Sequence, residues 1–186
     1  MTQMKPAICV FCGSRPGKEP RYLQAAVFLG HLMASEGIGL VYGGATSGLM
    51  GAVADSVLEK GGTVIGVLPE FLTSKEIAHK EITELILVPT MHERKLLMYE
   101  KSIAFIALPG GIGTLEELVE VTSWNQLGVL SKPIGILNVN GFFDPLLKQL
   151  DHMVEEGFLD SQTREWIEVS ADPEELFEKI IKRSRI

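Results

Sequence analysis

The chain has 186 residues, 46% hydrophobic and 22% charged, which fits one soluble globular domain over residues 1–186 and excludes a disordered or fibrous chain. Its formal net charge of −7, with no Lys/Arg block able to neutralise a phosphate backbone, argues against a nucleic-acid partner. No apolar run reaches the roughly 18 residues of a membrane span, and residues 1–6 lead straight into a strand-like run, so the expectation is a cytoplasmic protein without a membrane partner.

Apolar, β-branched runs at 7–11, 38–42, 63–68, 85–88, 103–108 and 133–137 alternate with helix-like segments at 21–35, 49–60, 91–101, 114–127, 145–156 and 173–182. A last short strand around 166–169 adds to an edge. Continuous apolar strands alternating with helices indicate a parallel sheet covered on both faces. The expected fold is α/β, a Rossmann-like doubly wound parallel sheet in a single domain, with strand order 3-2-1-4-5 or a close relative.

Cys9 and Cys12 form a C-x-x-C in and just after the first strand-like run, where positions three apart face opposite sides. Two small buried hydrophobes are the favoured reading, because a metal site needs further ligands and the four histidines are scattered. Turn-rich loops follow the first and second runs, Gly13-Ser14-Arg15-Pro16-Gly17 and Gly43-Gly44-Ala45-Thr46-Ser47-Gly48. Either could be an ordinary turn, but in such sheets ligands bind beyond the carboxyl ends of the strands. Ser14 and Gly44 are therefore candidate additional contacts to a phosphate or ribose.

On the third helix Arg94 shares a side with Met91, Leu97 and Met98. Such an arginine seeks an anion, snorkels past a methionine-rich patch, or forms an architectural ion pair with Glu117. The fifth run leads into Pro109-Gly110-Gly111-Ile112-Gly113-Thr114-Leu115-Glu116-Glu117, which reads as an anion cradle with a carboxylate built in. Bare glycines allow close backbone approach, Thr114 is placed as the helix N-cap, and Glu117 rises three residues later near the same face. Along that helix Leu115, Leu118, Val119 and Thr122 are expected to pack on the sheet, while Glu117, Val121 and Trp124 form a second stripe that predicts a subunit seam. Lys182, Arg183 and Arg185 read as a solvated helix end.

Familiar nucleotide motifs fail on spacing. Glu116 stands where a dinucleotide fingerprint needs a small residue, no Walker sequence occurs, and Ser47 lies one place too late for a nucleophile elbow. No metal ion and no cofactor are expected.

Taken together, Met91-His92-Glu93-Arg94-Lys95 and the glycine run from Pro109 to Glu117 resemble the LOG ("Lonely Guy") family of cytokinin riboside 5'-monophosphate phosphoribohydrolases. The likeness extends through Cys12-Gly13-Ser14, Val41-Tyr42-Gly43-Gly44, Gly48-Leu49-Met50-Gly51, Trp124-Asn125-Gln126-Leu127-Gly128 and Lys132-Pro133-Ile134-Gly135. The resemblance implies hydrolysis of the N-glycosidic bond of a purine nucleoside monophosphate, cytokinin-type or AMP, giving free base and ribose 5-phosphate. It places Arg94 and Glu117 on the catalytic pair, and Glu76, Arg94, Lys95, Gly111, Ile112, Gly113, Thr114, Leu115, Glu116, Glu117 and Ser123 on substrate contacts. A homodimer with active sites near its seam is expected. The alternative is a non-hydrolytic nucleotide-binding or sensor module of the same fold. Family members have been mislabelled lysine decarboxylases, but that chemistry usually needs pyridoxal phosphate and a Schiff-base lysine, and no lysine is expected to adjoin the glycine loop.

Overall fold

The computed structural model describes residues 6–73 and 78–184. Among these residues seven parallel strands form one sheet in the order β4-β3-β2-β1-β5-β6-β7. In chain order these are β1 (Ala7–Phe11), β2 (Gly39–Tyr42), β3 (Val64–Pro69), β4 (Glu84–Val88), β5 (Ala104–Ala107), β6 (Ile134–Leu137) and β7 (Ile167–Ser170). The helices are α1 (Pro20–Ser35), α2 (Gly48–Glu59), α3 (Met91–Glu100), α4 (Ile112–Gln126), α5 (Asp144–Glu155), α6 (Ser161–Glu165) and α7 (Pro173–Ser184). Among the described residues no helix is long and apolar enough to cross a membrane.

Every residue of β1, β2, β5 and β6 is buried, which is why these strands read as unbroken apolar runs. Their alternate side chains feed two cores. Ile8, Val10, Leu40 and Tyr42 pack against α1, α2 and α7, while Cys9, Phe11, Val41, Phe105 and Ala107 pack against α3 and α4. Cys9 and Cys12 are free, buried and on opposite faces of the sheet, as two small hydrophobes should be.

The strand order is a close relative of the expected one. The run at 85–88 does not return beside β1 but extends the outer edge past β3, and β5 makes the return instead. β4 is the most exposed strand, with a single fully buried residue, and so suits an edge. The winding direction reverses between β1 and β5, which opens a crevice at their carboxyl ends. The short helix α6, absent from the sequence reading, is capped by Asp160, whose carboxylate accepts from the Thr163 N–H at 2.7 Å.

Candidate active site

Helix α3 begins at a capping pair. The Glu93 N–H donates to the Thr90 hydroxyl oxygen at 3.2 Å, and that hydroxyl donates to the Glu93 carboxylate at 3.0 Å. The helix so fixed delivers Arg94 to the carboxyl ends of β2 and β3. Arg94 Nε donates to the Val67 carbonyl at 3.0 Å, and Nη1 lies 3.5 Å from the Met91 sulfur. Glycine at position 43 makes room for this guanidinium, since a side-chain carbon there would stand 2.3 Å from Arg94 Nη2. Arg94 Nη1 then reaches Glu117 Oε1 at 3.4 Å.

Helix α4 starts at Ile112 with Gly111 as its cap, two residues earlier than the sequence suggested. Thr114 therefore lies buried inside the first turn and is not the N-cap. The first N–H groups of a helix lack intrahelical acceptors, and no acidic side chain occupies this first turn, so the positive end is available to an anion. Gly110 is needed for packing, because a side-chain carbon there would meet Thr114 Oγ1 at 2.1 Å and Gly13 N at 2.9 Å. At Gly111 and Gly113 the same carbon would meet nothing within 4 Å. Their bare backbone faces open space, which packing does not require and close approach of a ligand does.

Glu117 is 9% exposed. Burial pushes its carboxyl up to about 7, with Arg94 the main influence in the opposite direction. The next residue of α3, Lys95, is only 6% exposed and donates to Glu116 at 2.5 Å and to Glu120 at 2.8 Å. Burial works against its charge, but bonding to Glu116 and Glu120 outweighs this and holds its pKa above the ordinary lysine value.

The fold thus brings together Arg94, Lys95, Gly111, Ile112, Gly113, Thr114, Leu115, Glu116 and Glu117. Ser14 is exposed and lines a neighbouring cavity of about 360 Å³ with Arg15, Tyr22, Gly110, Gly111 and Phe142. Gly44 is buried, and its carbonyl accepts from the His79 N–H at 2.9 Å. Ser123 points outward on α4 beside Val119 and Trp124, away from the Arg94–Glu117 pair. Glu76 lies outside the described residues.

Two expectations are corrected. The sheet-facing stripe of α4 is Thr114, Glu117, Leu118, Val121 and Asn125, whereas Val119 is 54% exposed and Leu115 and Thr122 are half-buried. Leu118 faces the sheet as expected, but Glu117 and Val121 of the second stripe went inward beside it, leaving Val119 outside with Trp124. Second, a lysine does adjoin the loop: Lys95 arrives in space from α3. Sequence reasoning also missed Glu120 and Tyr99, whose hydroxyl donates to Glu120 Oε2 at 2.6 Å. The i, i+4 spacing of Glu116 and Glu120 was the available signal. Among the described residues no group of three or more His, Cys, Asp or Glu could hold a metal ion.

A doubly wound sheet carrying an open helix end beside a buried acid and arginine defines an α/β protein with a phosphate-compatible cleft and a buried carboxylate. A family model described as "Possible lysine decarboxylase" matches residues 50–180. Two Arabidopsis thaliana proteins named cytokinin riboside 5'-monophosphate phosphoribohydrolase are similar to this chain. One is 49% identical over 93% of this chain and 80% of its own length, and the other 50% identical over 84% and 74%. The chain belongs to this family, whose LOG members carry the phosphoribohydrolase name. Its fold is similar to that of the molybdenum cofactor binding protein from Rippkaea orientalis, with TM-score 0.72 and 26% identity over 97% of this chain and 98% of that one.

Proposed function

We propose that this chain hydrolyses the N-glycosidic bond of a purine riboside 5'-monophosphate, either AMP or a cytokinin-type nucleotide, to give free base and ribose 5-phosphate. The observation that carries the reading is Glu117, a buried carboxylate with its pKa raised to about 7, beside Arg94 near an open helix N-terminus. The names of the Arabidopsis thaliana relatives support the same reaction.

Glycosidic cleavage passes through an oxocarbenium-like state, which a carboxylate near the ribose stabilises. Glu117 takes that role and orients or deprotonates the attacking water, for which a pKa near neutrality is suited. A guanidinium is a poor proton donor, so Arg94 does not protonate the leaving base; it binds phosphate or ribose and holds Glu117 in place. The bare N–H groups at Ile112, Gly113 and Thr114 receive the 5'-phosphate, with remote binding energy positioning the bond to be broken. Glu76, Lys95, Gly111, Leu115, Glu116 and Ser123 complete the substrate contacts, with Ser14 as an additional one. No step of this reaction draws on a metal or a cofactor. Schiff-base chemistry at Lys95 is disfavoured because its two carboxylate partners keep the amine protonated.

The chain is further proposed to act as a homodimer. Ile112 at 82% exposed and Val119 give the outer face of α4 an apolar surface, and Leu115 and Trp124 add to it. Ser123 lies on that face, so a seam there would join it to a substrate site. Sedimentation should show a dimer, and a strictly monomeric, fully active species would contradict it.

The testing experiment incubates wild type and Glu117→Gln with AMP and N6-isopentenyl-AMP and follows base and ribose 5-phosphate by chromatography. Matched release of both products by wild type alone is expected. The fold shared with a molybdenum cofactor binding protein favours, as second reading, a non-hydrolytic binding module. Tight nucleotide binding with no product would establish that reading and end the first.

A further inference from the structure

We infer that Glu120 is a positioning residue for this reaction: backed by the Tyr99 hydroxyl, it fixes the Lys95 ammonium beside the catalytic carboxylate. The inference rests on the reading of Lys95 as a substrate contact and adds the device that aims it.

The two carboxylates on Lys95 are not equivalent. Glu116 has a side chain 51% exposed, and Lys95 is its ion-pair partner. Glu120 is 21% exposed and engaged at both oxygens, one accepting from Lys95 Nζ and the other from the Tyr99 hydroxyl. Tyr99 is itself immobilised. Its ring is 1% exposed and meets Phe11, Phe105 and Trp124 edge-on, with centroids 6.3, 5.4 and 5.5 Å away. Only the Glu116 end of this pair is open to solvent, so Glu116 can turn aside for an incoming anion while Lys95 stays buried on Glu120. Glu120 cannot follow without breaking its bond to a buried phenol, which would be left without its acceptor.

The position of the ammonium is therefore set by α4 and the aromatic core, and not by the flexible four-carbon stem of Lys95. A lysine held in this way keeps its place when Glu116 moves to admit substrate. The cluster also lies close enough to act on Glu117, whose ionisation Lys95 favours and Glu120 disfavours. Displacing Lys95 consequently disturbs both the anion contact and the carboxylate that does the chemistry.

A mere staple between α3 and α4 would use the same atoms, so the test must separate aim from attachment. Steady-state base release from AMP and N6-isopentenyl-AMP is measured with thermal melting for Glu120→Gln, Tyr99→Phe, Lys95→Met and the double variant Lys95→Met/Glu120→Gln. A misplaced contact group at a reacting site costs about tenfold or more. Glu120→Gln should lower kcat/KM about tenfold, mainly through KM, and Tyr99→Phe should lower the same parameter about threefold. The double variant should be no worse than Lys95→Met alone, because both changes act through one group.

Glu120→Gln within twofold of wild type overturns the inference, as does a full additional loss in the Lys95→Met background. A loss that follows melting temperature with KM unchanged identifies the staple and also overturns it. Should Glu120→Gln fail to fold, Tyr99→Phe keeps the ring packing and reads the same parameter. Wild type that releases no base from either nucleotide sinks the phosphoribohydrolase reading and this inference together. An active wild type with an indifferent Glu120→Gln removes this inference alone.

Discussion

Two neighbouring cations on α3 face three carboxylates on the first turns of α4, and they are paired in opposite ways. Lys95 sits between Glu116 and Glu120 at 2.5 and 2.8 Å, and its charge is amply compensated. Arg94 directs Nε to a backbone carbonyl and meets Glu117 through a single looser contact of 3.4 Å. The first arrangement holds shape. The second leaves a buried carboxylate under-compensated, and burial then keeps its proton affinity near neutrality. A carboxylate kept in that condition has capacity left for developing positive charge, whereas one locked to a lysine has spent it.

Among changes that leave the Glu117 carboxylate in place, removing its loose partner should have the largest effect. Arg94→Met is expected to lower kcat/KM about 100-fold, in the range seen when one preorganised charge-stabilising group is lost. It should also move the acid limb of the pH–rate profile above its wild-type position near 7, because Arg94 is the main influence holding the Glu117 pKa down. An unmoved limb would break the contrast between the two pairs.

Glu117→Gln sharpens the same contrast through stability. The carboxyl is raised from 4.5 to about 7 by burial, so its contribution is present below 4.5 and lost as pH rises through 7. At about 1.4 kcal/mol per pKa unit, the advantage of the glutamine variant should widen by roughly 2 kcal/mol between pH 5 and pH 8. Urea denaturation at the two pH values reads this directly, and a constant difference would show that Glu117 is not strained by its surroundings. Wild-type kcat/KM should rise over the same interval as the carboxylate forms.

Thr90→Ala should have the smallest effect. Loss of the cap beneath Arg94 and Lys95 is expected to cost about 1 kcal/mol of stability, measured by thermal melting. Base release should change by less than threefold if both helices are held chiefly by the sheet, a rough allowance for a sub-ångström shift of α3.

Much of the fold was legible because strands buried on both faces must be apolar throughout, as β1, β2, β5 and β6 are. The meeting of Arg94 and Glu117 was legible as one of several readings of that arginine, an architectural ion pair among them, and the resemblance of both motifs to the LOG family singled the pair out. The stripes of α4 were not, because Leu115 and Val119 carry the same hydropathy signal as Leu118 and Val121, and only packing chose between them. Nor was the Lys95–Glu120–Tyr99 cluster, in which α3 and α4 residues 21 and 25 positions apart meet across a strand and a loop. The edge position of β4 was hidden too, since a short apolar run does not state its neighbours.

The loops around the site are laced by backbone. The Leu49 N–H donates to the Gly13 carbonyl at 3.0 Å, and the Gly13 N–H donates to the Pro109 carbonyl at 3.1 Å. One short segment thus stitches the start of α2 to the glycine run before α4. Amide protons at positions 13 and 49 should consequently exchange with solvent in one concerted opening rather than loop by loop. The cradle would then reach a nucleotide already assembled, and any freedom needed for product to leave must come from elsewhere on the rim.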